Sequence, residues 1–264
     1  MARWDPTYSR YASHYDQIGQ RRFGEVSAES LLAHLASKGV EPMTVLDLAC
    51  GTGAATLQFA RRGLTATGLD ISGAMLERAQ ASAEADGLRI HWRQGDMTTF
   101  AVDEPIDLCT CFYDAVNYLN GSMEFTSFAR CTFDALVPGG YLAFDINTRR
   151  KLEEHWGEMT LVAADDGERF LAYRSWFDEV RQVSPLVITG FERRADGAWD
   201  RFDEEHLETA FRIDDLTASL MTAGFGDVDV LDWQEGQPAP DRTGSEKSFR
   251  VMFVASKPGF DLEA

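Results

Sequence analysis

Val45-Leu46-Asp47-Leu48-Ala49-Cys50-Gly51-Thr52-Gly53 joins an apolar strand pattern to a glycine turn, and a second strand pattern ends at Gly68-Leu69-Asp70. The glycines let backbone approach a ligand and leave the next helix N-terminus facing it. An acid roughly 20 residues on, at the end of a second strand, can accept hydrogen bonds from ribose hydroxyls. Alone, such a turn is shared by nicotinamide, flavin and S-adenosylmethionine sites. Two details separate them. The dinucleotide fingerprint wants a third glycine where this chain has Thr56, and an acid, Asp47, stands in the strand end before the turn. That carboxylate repels a pyrophosphate and attracts a ligand carrying ammonium and sulfonium groups. The pattern therefore favours S-adenosylmethionine.

Outward from this stretch, strands and helices alternate. Strands are expected at 44–49, 66–70, 89–93, 106–112 and 141–146, and a helix at 54–62. Ser72 caps a helix carrying Met75, Leu76, Ala79 and Ala83 on one side. Ser122 opens another with Phe125, Phe128, Ala129, Phe133 and Leu136, which Pro138-Gly139-Gly140 ends. Alternation of this kind implies right-handed crossovers and a parallel sheet. Upstream, residues 7–37 read as helical, broken near Gly19 or Gly24.

Beyond Arg150 the helical period disappears. Segments 159–164, 169–178, 182–194 and 198–212 look extended, with hairpin turns at Asp166-Gly167 and Asp196-Gly197. A helix resumes at 214–223, followed by strands at 227–233 and 248–256 joined by an exposed polar loop. The expected organisation is an N-terminal helical lid over residues 1–38, an α/β core over 39–149 and 208–264, and an antiparallel β cap over 150–207. Trp156, Trp176, Phe177, Trp199 and Phe202 of the cap either form its own core or wall a substrate pocket.

Composition narrows the partners. With 43 acidic against 25 basic residues the formal charge is -18, which leaves no basic face for nucleic acid or an anionic membrane. No apolar stretch approaches a membrane span, and the polar start Met1 to Asp16 does not read as a signal peptide. Cys50, Cys109, Cys111 and Cys131 fall in expected core elements with no CxxC pair, and the five histidines are scattered. The reading is buried thiols, no metal site and a reducing, cytoplasmic setting, with a small-molecule partner and a homo-oligomer left open.

Taken jointly, the motifs resemble those of the class I S-adenosylmethionine-dependent methyltransferases, in the small-molecule subgroup that includes sugar-amine and natural-product N-methyltransferases. Asp47 to Gly53 stands at the family's first motif, with Ala49 where glycine is usual. Leu69-Asp70-Ile71-Ser72, Gly95-Asp96-Met97 and Asp107 to Leu119 look like the segments after strands two and three and the fourth motif. Tyr8 to Asp16 resembles the subgroup's lid helix. The resemblance covers about residues 39–148 and the last two strands. It implies a Rossmann-like seven-stranded sheet whose last strand is antiparallel, with the substrate cap inserted after strand five. It also implies a cofactor site of Tyr11, Asp47, Ala49, Gly51, Gly53, Asp70, Ile71, Met75, Asp96, Met97 and Phe112, in which Asp96 faces the adenine amine and Met97 its ring. Tyr8, Tyr15 and Asn117 are the implied catalytic residues, with Asp114 and Asn147 as further polar candidates at strand ends.

Methyl transfer from a sulfonium to give S-adenosylhomocysteine is an in-line displacement that asks mainly for alignment and exclusion of water. An amine acceptor has only to lose its ammonium proton, whereas a hydroxyl needs a base or a metal. His14 and His206 are the candidate bases. The residues favour nitrogen over oxygen as the acceptor; a carbon nucleophile, a nicotinamide-dependent oxidoreductase and a non-catalytic adenosylmethionine-binding protein are the alternatives. The insert is expected to determine the acceptor rather than the cofactor.

Overall fold

The computed structural model describes residues 7–16 and 19–259. Strands β1 (Thr44–Leu48), β2 (Thr65–Asp70), β3 (His91–Gln94), β4 (Ile106–Cys111) and β5 (Leu136–Asn147) run parallel. Helices α3 (Ala54–Arg61), α4 (Gly73–Ala85) and α5 (Ser122–Ala135) serve their crossovers or flanks. Ahead of them lie a single turn, α1 (Ala12–Tyr15), and the longer α2 (Arg21–Ser37). The long N-terminal helix expected from residue 7 is therefore shorter, and its break falls at Gly19, whose φ of 86° no helix accommodates. Gly24 instead lies inside α2, where a Cβ would stand 3.1 Å from that of Ala54, so its bareness brings α2 against the start of α3.

After β5 the chain forms a four-stranded antiparallel meander, β6 (Glu158–Asp165), β7 (Arg169–Trp176), β8 (Val183–Arg193) and β9 (Trp199–Thr209). Gly167 and Gly197, both at φ 84°, supply two of its turns. The chain then returns through α6 (Ile213–Ala223) to β10 (Val228–Gln234), β11 (Gln237–Thr243) and β12 (Arg250–Ser256). The main sheet has the order β11-β10-β12-β5-β4-β1-β2-β3, with β12 antiparallel to both neighbours.

That sheet has eight strands rather than seven. Residues 237–243, expected in an exposed loop, pair with β10 because Glu235 (φ 50°) and Gly236 (φ 86°) make a two-residue hairpin turn with the handedness strands prefer. β5 also begins earlier than expected: Leu136 pairs with Ile106, and the residues up to Tyr141 bulge around Gly139 before the register resumes at Leu108.

Both faces of the sheet are covered. Phe125 and Phe128 of α5 pack on Phe144 and Phe253, while Leu31 and Leu35 of α2 and Phe59 of α3 meet Val45, Leu108 and Trp233 on the other side. Double coverage accounts for the mostly apolar composition of β4. Among the described residues no helix is long and apolar enough to cross a membrane. Cys109 and Cys111 are buried as expected, but Cys50, in the turn after β1, and Cys131, within α5, are only half-buried.

Candidate active site

Beyond the C-terminal ends of β1, β2 and β4 lies a cavity of about 250 Å³. Parallel sheets place their crevices there because the connecting loops diverge at a switch in strand order. Its walls include Asp47, Ala49 and Gly51 from the first turn, Asp70, Ile71 and Met75 from the second, and Met97, Phe112, Tyr113 and Tyr118. Tyr8 and Tyr15 of the N-terminal segment close it. An adjoining cavity of about 210 Å³ shares Ala49, Ile71, Met97 and Tyr118 and adds Asp96.

The first turn is held by its own carboxylates. Asp70 accepts from the Gly51 amide at 2.7 Å and the Ser72 amide at 2.8 Å. Burial pushes its carboxyl upward, and those amides offset part of the rise. Ala49 adopts a left-handed φ of 50°, which is why glycine is the usual residue there; a Cβ in that region costs about 1–2 kcal/mol. Asp47 is buried and accepts from the hydroxyls of Thr56 (2.6 Å) and Thr110 (2.7 Å). Burial raises it to about 6, partly opposed by the two hydroxyls and increased by Asp70. A buried carboxylate with only neutral donors, lining a cavity, suits a ligand that brings a cation. The residues present thus fit adenosylmethionine.

Three expected residues stand elsewhere. Gly53 does not line the cavity. Its φ is 79°, and a Cβ on it would meet the Trp92 ring at 2.6 Å, so tight packing beneath the turn requires the glycine. Tyr11 is buried in the tyrosine cluster with its hydroxyl 2.7 Å from that of Tyr173, away from the cavity wall. Asn117 is fully buried: its amide donates to the carbonyls of Asn147 and Thr209, both at 2.9 Å, and its oxygen accepts from the Asn147 amide at 2.9 Å. With both amide atoms engaged by backbone, Asn117 is a clip between β5, β9 and the turn 115–118, which corrects its assignment to the acceptor.

Asp96 lines the adjoining cavity with one oxygen occupied by the Thr98 amide and hydroxyl, both at 2.7 Å. None of Trp156, Trp176, Phe177, Trp199 and Phe202 lines the main cavity. Trp176 and Trp199 are exposed, whereas Phe202 packs with Leu171, Tyr173, Ile188 and Tyr11 in the cap's own core. His14 stacks on Phe202 and bonds Glu192 at 2.8 Å, and does not line the cavity.

Sequence reasoning missed the acids of β9. Phe202, Glu204, His206 and Glu208 all face inward, at period two. Glu204, with no exposure, accepts from the backbone amides of Tyr8 (2.7 Å), Arg10 (2.7 Å) and Tyr11 (2.9 Å), and so seats the N-terminal segment on the cap. Burial opposes its charge, but His206 and those amides hold it below the usual carboxylate range. On the core side, the Ser72 hydroxyl donates to the Tyr8 carbonyl at 3.0 Å and that of Thr52 to Asp16 at 2.6 Å. Glu208 accepts from Asn147 at 2.8 Å, and burial beside Asp114 drives it well above the usual range, towards the neutral acid.

Arg250 of β12 was likewise unflagged. Its buried guanidinium pairs with Asp114 and Asp145 under the rings of Phe23 and Tyr113. Asp145 also accepts from the amides of Tyr113 and Asp114, two successive residues with left-handed φ (63° and 55°). This cluster sets the shape of the loop after β4. The signal available was an arginine inside an apolar terminal strand facing two acids at strand ends.

A family profile described as "Methyltransferase domain" matches residues 45–140. The chain is 32% identical to trans-aconitate 2-methyltransferase of Streptomyces coelicolor over 95% of its length and 76% of that protein's. It is 27% identical to dTDP-4-amino-2,3,4,6-tetradeoxy-D-glucose N,N-dimethyltransferase of Saccharopolyspora spinosa, over 81% and 84% of the two chains. The crystal structure of an S-adenosylmethionine-dependent methyltransferase from Clostridium acetobutylicum superposes with a TM-score of 0.81 at 24% identity, covering 96% of this chain and 99% of that one. With the doubly covered sheet, the first-turn carboxylates and these matches together, the chain belongs to the class I S-adenosylmethionine-dependent methyltransferases acting on small molecules.

Proposed function

We propose that this enzyme methylates an amine nitrogen. One observation carries the reading: the main cavity is lined by two carboxylates, four tyrosines, the neutral polar Thr7, Gln20 and Thr52, and apolar groups, with no lysine or arginine among the described residues. A carboxylate acceptor, as the name of the Streptomyces coelicolor relative implies for that enzyme, would find no counter-charge here; an amine finds phenol oxygens, in a cavity whose charged side chains are all acidic. The name of the Saccharopolyspora spinosa relative points to an amino-sugar acceptor for that protein, which supports the same choice.

In this reading Asp47 faces the cofactor's ammonium, Asp70 its ribose hydroxyls and Asp96 its adenine amine, with Ile71, Met75, Met97 and Phe112 as apolar walls. Bound adenosylmethionine supplies a methyl group already activated by positive sulfur. The chain's residues align the nucleophile, exclude water and receive the proton it sheds. Tyr15 is the phenol set to orient the acceptor: it lines the cavity, lies edge-on to Tyr8, Tyr11 and Tyr113, and its hydroxyl has no protein partner among the described residues. The test is transfer of labelled methyl from adenosylmethionine to an amino-sugar nucleotide, a catechol and trans-aconitate. Label in the amine is expected; label in trans-aconitate or the catechol, with none in the amine, overturns the reading.

A further inference from the structure

A hydrogen-bonded chain runs from the cavity wall into the cap. The Tyr8 and Tyr118 hydroxyls are 2.9 Å apart, and both residues line the cavity. The Tyr118 hydroxyl lies 2.9 Å from His206 Nδ1, and His206 Nε2 lies 3.2 Å from a Glu204 oxygen. The His206 and Glu204 side chains are buried. Glu204 is held as a carboxylate and can only accept, so Nε2 carries the imidazole's proton. Nδ1 is then the acceptor, Tyr118 donates to it, and Tyr8 donates to Tyr118. Every donor in the chain points toward His206, which leaves lone pairs of the Tyr8 oxygen for a donor arriving in the cavity.

We infer that Tyr8, Tyr118, His206 and Glu204 form a proton relay that takes the proton from the acceptor's ammonium before methyl transfer. This rests on the amine reading above. The balance is simple. An N–H bond of the ammonium breaks and its proton goes to the Tyr8 oxygen. The Tyr8 proton passes to Tyr118, and the Tyr118 proton to Nδ1, leaving two neutral phenols and an imidazolium beside the Glu204 carboxylate. The freed nitrogen lone pair bonds to the methyl carbon as the carbon–sulfur bond breaks with its electrons on sulfur. His206 returns its proton to water when the site opens. Burial raises both phenols well above their ordinary range, so they pass protons along without standing as phenolates.

Tyr8 is the group placed to meet the acceptor; Tyr118, His206 and Glu204 act through it and are positioning residues. The titratable groups facing His206 are Glu204 on its own strand, Tyr8 and Tyr11 of the N-terminal segment, and Tyr118, on which Glu208 and Asp114 also act. A carboxylate acceptor has no proton to shed and would gain nothing from the chain.

Tyr118→Phe removes the middle oxygen and keeps the ring; His206→Gln removes the terminal base. With an amino-sugar nucleotide as acceptor, the wild-type kcat/KM is expected to reach its plateau well below the acceptor's ammonium pKa. In both variants it should fall at least tenfold at pH 7, rise with unit slope, and recover near wild type only above the acceptor's ammonium pKa, where free amine arrives unaided. A profile uniformly lowered, or unchanged, overturns the relay. If His206→Gln fails to fold, Tyr118→Phe carries the test. Histidine-15N NMR of the wild-type complex with S-adenosylhomocysteine tests the chain without any acceptor. His206 should be the Nε2–H tautomer at pH 7.5, with an Nδ1 resonance that shifts in Tyr118→Phe; the opposite tautomer, or a resonance that does not move, overturns the relay even if the amine reading stands. Failure of wild type to methylate any amine, with the NMR result as expected, counts against the amine reading alone.

Discussion

At the level of single residues, the site turns on carboxylates kept in unfavourable surroundings. Asp47 is raised by burial to about 6 against a carboxylate's ordinary value near 4. A raised acid stabilises the fold at low pH, and that contribution is lost as pH rises from about 4 through about 6. Asp47→Asn should therefore leave the ligand-free protein more stable than wild type above pH 6, by on the order of 2 kcal/mol, with the advantage shrinking toward pH 4. Urea titrations of both proteins across that range check the sign. The same change should weaken S-adenosylhomocysteine at least tenfold by calorimetry, because its ammonium loses the opposite charge. Tyr15→Phe removes one oxygen and keeps the ring. If that oxygen orients the acceptor, kcat/KM falls about tenfold or more, about 1.4 kcal/mol of transition-state binding, while cofactor affinity stays nearly constant. Steady-state kinetics separate the two effects, and an unchanged kcat/KM assigns Tyr15 to packing.

Among elements, the N-terminal segment and the cap are one device. Three backbone amides of the segment converge on Glu204, and Arg10, Ser13 and His14 meet Glu192 of β8. This changes the expectation that the insert serves the acceptor alone. Replacing residues 158–205 by a short loop should abolish acceptor turnover and also weaken S-adenosylhomocysteine, since Tyr8 and Tyr15 lose their anchor. Calorimetry on a variant shown to be folded by circular dichroism reads this out; unchanged cofactor affinity would mean that Ser72 and Thr52 hold the segment unaided. Glu204→Ala is the milder version. It leaves buried amides unsatisfied at about 1–3 kcal/mol each and should speed proteolysis of the segment.

For the molecule as a whole, ligand binding and folding are linked. The cavity is assembled from the N-terminal segment, three sheet loops and the turn 115–118, so the unfolded chain has no site to offer. At a hundredfold excess over its Kd, S-adenosylhomocysteine should stabilise the protein by about 2.7 kcal/mol. For a chain of this size that is a rise in Tm of roughly 5–10 °C. NAD at the same concentration should produce none, and a shift with NAD alone would contradict the cofactor assignment. The charge of -18 predicts little affinity for DNA at physiological salt, which a mobility-shift assay measures directly.

Local periodicity and turn chemistry made the parallel strands, the cap hairpins and the first-turn site legible, because each depends on neighbours close in the chain. That Asp47, Gly51 and Asp70 come together at one cavity could be read from spacing alone, since strand, turn and helix leave little choice of direction. Ala49, Tyr113 and Asp114 gave no such sign of their left-handed backbone, which loops anchored far away impose. Asn117 read as a ligand-facing amide, yet partners 30 and 92 residues distant claim its donors. His206 read only as a candidate base and Glu204 was not singled out, since both lie in a segment that reads simply as extended. Only the packing of β9 against the N-terminal segment turned them inward, where burial converts a charge pattern into a hydrogen-bonded chain. Spacing along the chain sets which backbone can form a turn; which buried polar atoms meet is set by elements far apart in sequence, because their hydrogen bonds exist only once tertiary packing has excluded water.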